Sequence, residues 1–97
     1  NSPSQQLIAW VQQNNVQALY QWASDSNLAE TLRISAIEGL GQISLEHAND
    51  VVERLTTLQQ NDSDPDIQRT AFSTLRRYQR RMIPKTSKHS TINLNAV

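Results

Sequence analysis

A chain of 97 residues buries only about two-thirds of the surface it exposes when unfolded, which allows one small domain and excludes a cleft between two. Hydrophobic residues make up 37% of it and charged residues 19%, with eleven Gln and eight Asn among the uncharged polar ones. Cys is absent, so disulfides, thiolate catalysis and cysteine metal sites are excluded and the redox compartment stays open. Net charge is zero but divided, since residues up to Ile67 hold nine acids against Arg33 and Arg54, while from Gln68 onward there are seven bases and no acid.

Read in order, the chain predicts helices throughout. Ser2-Pro3 is a helix start, because proline at the first helical position gives up an N–H that has no partner there anyway. Leu7, Ile8, Trp10 and Val11 supply the apolar face of a first helix over 4–13. Asn14-Asn15 reads as a turn. Val16, Leu19, Tyr20 and Ala23 then fall at helical spacing and predict a second helix from Val16 to Ser24. After the break at Ser24-Asp25-Ser26-Asn27, a third helix is predicted over 28–43, with Leu32, Ala36, Leu40 and Ile43 inward. Gly39 and Gly41 each cost about 1 kcal/mol inside a helix, and close helix packing is a reason to keep them. A fourth helix is predicted over 49–60 on Val51, Val52, Leu55 and Leu58. A fifth is predicted over 65–82 on Ile67, Ala71, Leu75, Tyr78 and Met82, with Asp64 as cap, Pro65 in the first turn and Pro84 as stop. Residues 84–97 form a polar, basic tail whose last seven alternate like a strand. This makes 1–83 a helical domain and leaves the tail to dock on an apolar patch or stay mobile.

The third and fifth helices align at an offset of 35: Leu32 with Ile67, Ala36 with Ala71, Ile37 with Phe72, Leu40 with Leu75, Ile43 with Tyr78. The second and fourth align at 36, through Val16 and Val52, Leu19 and Leu55, Trp22 and Leu58. One extra residue in the second inter-helix loop accounts for the difference. Two helix pairs at such a period mark an α-solenoid, so the expected fold is all-α, about five helices, two pairs behind a leading helix.

The stretch from Asp62 to Tyr78 resembles the second helix of a HEAT repeat, which reads Asp-Pro-x-Val-Arg-x-x-Ala-x-x-x-Leu. Asp64, Pro65, Ile67, Ala71 and Leu75 fit it. Gln68 stands where the family has Arg, with Arg69 one place late. The earlier copy fits through Leu32, Arg33, Ala36, Leu40 and Gly41 but lacks the Asp-Pro start. The likeness covers 16–82 and is similar to the short HEAT-like type found in many bacterial proteins. Armadillo and tetratricopeptide repeats are neighbouring possibilities, but the Trp and Tyr placements of the latter are missing. The resemblance implies a scaffold for protein binding, with the second helix of each pair lining a concave surface.

No enzyme signature emerges. Asp62-Ser63-Asp64-Pro65-Asp66 lacks the Gly and Glu that a calcium loop needs at positions six and twelve, where Ile67 and Ser73 stand, and reads as a turn and cap. His47 and His89 have no partner at metal-ligand spacing, and no nucleophile elbow or phosphate loop is present. No metal or cofactor is expected. Trp10, Tyr20 and Trp22 read as core aromatics. The candidate binding residues are Arg69, Arg76, Arg77, Arg80 and Arg81, expected together opposite the apolar stripe of the fifth helix, with Lys85 and Lys88 behind them. Such a face could hold an anion or a phosphate backbone, pair with the acidic helices, or simply suit a helix C-terminus. The expected partner is a protein, or the rest of a longer parent chain suggested by the start at Asn1. Nucleic acid or an anionic surface is the alternative. No apolar run approaches the about 20 residues of a membrane span, and without a targeting signal the cytoplasm is the default compartment.

Overall fold

The computed structural model describes residues 2–83, and within them the chain is all helical: α1 (Pro3–Gln12), α2 (Val16–Ser24), α3 (Glu30–Leu40), α4 (Ala48–Asn61) and α5 (Pro65–Arg81), with a 3₁₀ turn at Leu45–His47 before α4. The tail from Pro84 on, with its alternating Thr91–Val97 and the docking expected of it, lies outside the described residues.

Helix starts follow the sequence signals. Ser2 caps α1 reciprocally: its Oγ accepts from the Gln5 N–H at 3.2 Å and Gln5 Oε1 accepts from the Ser2 N–H at 3.4 Å, which satisfies two donors the helix cannot pair itself. Asn15 caps α2 through the Ala18 N–H, and Asp64 caps α5 through the Asp66 N–H at 2.9 Å. By contrast, Ala29 precedes α3 without any side-chain cap. That helix is shorter at both ends than its periodicity predicts, stopping at Leu40 with Gly41 as C-cap. Asn14 takes a left-handed backbone, φ 54°, a conformation asparagine tolerates better than most residues, and so reverses the chain between α1 and α2.

The helices form two layers. α2 packs most closely on α3, and α4 on α5; α3 also lies against α5, α2 more lightly against α4, and α1 covers parts of both α2 and α3. Thus α3 and α5 stand side by side in one layer and α2 and α4 in the other, with α1 lying against both α2 and α3. A single core runs through both, built from Leu7, Val16, Leu19, Ala23, Ala36, Ile37, Leu40, Ile43, Val51, Leu55, Leu58, Ile67, Ala71, Leu75 and Tyr78. Burying each large aliphatic member contributes about 1.5–3 kcal/mol.

Both glycines sit at close approaches. A Cβ on Gly39 would lie 3.1 Å from Val11 Cγ2 and 3.2 Å from Leu19 Cδ2, and one on Gly41 would lie 2.7 Å from Thr74 Cγ2. The first lets α3 nest on α1 and α2; the second lets α5 nest on α3.

Several apolar residues expected inside are not. Ile8 is 57% exposed and Met82 46%, because Ile8 borders the open groove between α1 and α3 and Met82 follows the end of α5. Leu32 is only half-buried. Phe72, the partner of Ile37 in the 35-residue alignment, is 42% exposed whereas Ile37 is fully buried: among the described residues no further helix lies beside α5. Trp10 and Trp22 are half-buried and meet edge to face, centroids 4.8 Å apart.

α2 and α4 end on the same device. Asp25 and Asp62 are extended C-caps, and each carboxylate accepts, at 2.9 Å, the N–H two residues on, from Asn27 and Asp64 respectively. Ala29 and Asp64 then begin the following helices. The α2–α3 loop, the second between helices, is therefore two residues longer than the α4–α5 loop, not one.

Candidate interaction surface

The arginines of α5 divide into two groups. A helix turns about 100° per residue, so Arg69, Arg76 and Arg80, at i, i+7 and i+11, share one line opposite the buried stripe of Ile67, Ala71, Leu75 and Tyr78, and all three are exposed. Arg77 and Arg81 do not join them, correcting the expectation of five arginines on one face. They lie beside buried Thr74, on the flank that α5 turns toward α3.

Arg81 is a structural residue. Its Nη1 donates to the Gly41 carbonyl at 2.7 Å and the Ile43 carbonyl at 3.1 Å, and its guanidinium stands 5.2 Å from the Tyr78 ring centroid. Tyr78 in turn donates its hydroxyl to the Ser44 carbonyl at 3.1 Å, and burial raises its phenol pKa despite the nearby Arg81. From the other side, Asn14 Oδ1 accepts the Ser44 N–H at 2.9 Å. The segment leaving α3 thus has its polar backbone satisfied by side chains of α5 and of the α1–α2 turn.

Arg77 lies with Arg81, Thr74, Glu38, Gly41 and Gln42 around an open groove of about 360 Å³ between α3 and α5. A second open groove of about 390 Å³ runs between α1 and α3, where Leu7, Ile8 and Val11 give an apolar wall. Glu38 and Gln42 border both grooves. Along α3, one groove is therefore basic and the next apolar.

The outward line is more open. Arg69 Nη1 is 3.6 Å from Asp66 Oδ1, a solvent-exposed pair that contributes little. Arg76 lies over the exposed Phe72 ring, 5.6 Å from its centroid. Neither Arg76 nor Arg80 has a carboxylate partner among the described residues. Lys85 and Lys88, expected to extend the basic face, lie outside the described residues, as does His89. His47 is exposed at the start of α4.

Arg33 is not among the candidate binding residues of the sequence, though the repeat pattern includes it. It is the one charged residue buried among the described residues. Its Nε donates to the Ala23 carbonyl at 2.9 Å, and its Nη2 bonds the Asp62 carboxylate. It ties the end of α2 to the α4–α5 turn, a link between the two helix pairs.

Glu30, Asp64 and Asp66 converge at the start of α5, with a carboxylate oxygen from each within 4.8 Å of the others. The sequence places Asp64 and Asp66 together but gives no sign of Glu30, which arrives from α3. Its pKa is raised, chiefly by a hydrogen bond shared with Asp64 and then by that group's charge, while Asp64 is lowered by the same hydrogen bond and by the Asp66 N–H. Three carboxylates near a helix N-terminus, Asp64 half-buried and the other two exposed, favour the dipole and repel one another.

No helix among the described residues is long and apolar enough to cross a membrane. Comparison of the chain with protein-family models, with characterised proteins and with solved structures finds no match.

Proposed function

We propose that this chain is a protein-interaction module built of two HEAT-like helix pairs behind a leading helix, a short α-solenoid that binds partners along its surface rather than transforming a substrate. The observation that carries the reading is the matched burial of the pairs: Ala36 and Ala71, Leu40 and Leu75, Ile43 and Tyr78 are all buried, 35 residues apart. Each pair buries one face internally and the other on its neighbour, as repeat architectures do, and such stacks offer extended surfaces instead of enclosed pockets. The two open grooves that adjoin along α3 supply such a surface. The test is capture of protein partners by the immobilised chain, followed by chemical cross-linking to map the contact. Cross-links concentrated on one layer support the reading, and catalytic turnover by the chain alone refutes it.

A second reading, binding of a nucleic acid or an anionic surface, draws on the exposed line of Arg69, Arg76 and Arg80. It predicts a steep fall of log affinity with log salt and is refuted if neither duplex DNA, RNA nor anionic vesicles bind at low salt.

A further inference from the structure

The side of α3 that receives α5 can be compared with the same side of α5. On α3, Gly41 lets Thr74 approach, and Ile34 and Ile37, at i−7 and i−4 from it, share its stripe. Ile37 is fully buried and Ile34 packs against the core. Thirty-five residues on, the corresponding positions of α5 hold Arg69, Phe72 and Arg76. A further helix pair seated as α5 sits on α3 would meet a guanidinium where a glycine is needed. It would also bury two cations with no counter-charge, which costs several kcal/mol per ion. Terminal repeats are expected to carry just such a polar outer face.

We infer that α5 closes the stack, and that its outward face holds a short acidic segment of a partner protein, with carboxylates on Arg76 and Arg80 and an apolar side chain on Phe72. This rests on the interaction reading above and names the partner's chemistry. Arg76 and Arg80 stand one helical turn apart, about 6 Å along the axis, without carboxylate partners among the described residues. Phe72 offers exposed ring beside them. Toward its N-terminus the line is neutralised: Asp66 pairs with Arg69, and Glu30 and Asp64 lie beside Asp66. A long polyanion laid along α5 would run into those carboxylates. A short segment with acidic and apolar side chains meets only the free arginines and the ring.

The test is selection of a random-peptide phage library on the chain, with affinities of the selected peptides measured against the chain and its R76E/R80E and F72S variants. Circular dichroism checks that these surface changes leave the helices intact. The expected result is a consensus rich in Asp or Glu with an apolar residue, weakened about tenfold or more by R76E/R80E, less by F72S, and unaltered by Q13A on the first turn of chain. A neutral or basic consensus, or binding indifferent to R76E/R80E, overturns the inference. So does tighter binding of an oligothymidylate than of the best peptide. A natural partner that cross-links to α1 and α3 and still binds R76E/R80E overturns this placement and leaves the interaction reading standing.

Discussion

Gly41→Ala probes the contact on which the α3–α5 packing depends. The backbone there is ordinary, φ −69°, so alanine brings no conformational strain, and its propensity advantage over glycine, at this C-cap the reduced freedom of the unfolded chain, favours it by about 0.4–1 kcal/mol. The added Cβ, however, would stand 2.7 Å from Thr74 Cγ2, where carbon atoms settle at about 3.5–4.0 Å. One side must move by roughly 1 Å. Thr74 is 2% exposed and, being β-branched, is stiff about χ1. Shifting α5 would stretch the bonds from Arg81 to Gly41 and from Tyr78 to Ser44. Overpacking of this kind costs about 1–3 kcal/mol, enough to outweigh the propensity gain. Thr74→Ser removes the clashing methyl, by itself worth about 0.8 kcal/mol of buried apolar group. Urea unfolding followed by far-ultraviolet circular dichroism on the two single variants and the double variant closes the cycle. Gly41→Ala alone should be destabilising, and the double variant more stable than the sum of the singles by about 1–3 kcal/mol. A Gly41→Ala protein as stable as the parent, or strict additivity, would refute the argument that this glycine is kept for helix approach.

Leu75→Ala should cost about 2–5 kcal/mol, while Gln42→Ala, at an exposed position, should leave the melting temperature nearly unchanged; equal shifts would show the repeat register to be wrong. Arg33→Ala leaves Asp62 without its buried partner and should cost about 3–5 kcal/mol, with little relief from added salt in a melting series. Glu30, whose pKa is raised by Asp64, contributes stability that is present below the usual carboxylate pKa of 4.5 and lost as pH rises through its folded value. Glu30→Gln should therefore raise the melting temperature at pH 7, with the gain shrinking as the solution is acidified toward pH 4. Tyr78, raised by burial, contributes stability that is present below pH 10 and lost as pH climbs through its folded value, a loss that Tyr78→Phe should abolish at the expense of the bond to Ser44, about 1 kcal/mol.

The chain's sequence determined the helices because their signals are local. Ser2, Asn15 and Asp64 satisfy donors within three residues of themselves, and apolar spacing selects the buried stripes of α2, α4 and α5 without reference to any other segment. Close packing at Gly39 and Gly41 was legible for the same reason: a costly residue in a helix asks for a compensating contact. What only the tertiary structure decided is which side of each helix finds a neighbour. Periodicity treats Ile37 and Phe72 alike, yet one is fully buried and the other faces solvent. It groups five arginines by charge, yet Arg81 is spent on the carbonyls of Gly41 and Ile43 and Arg77 turns toward α3, leaving Arg69, Arg76 and Arg80 outward. The bonds of Arg33 to Ala23 and Asp62, and of Asn14 to Ser44, span 10 to 30 residues. Such pairings have no sequence signature, since each exists only after the layers have met and the buried polar groups on both sides must be satisfied.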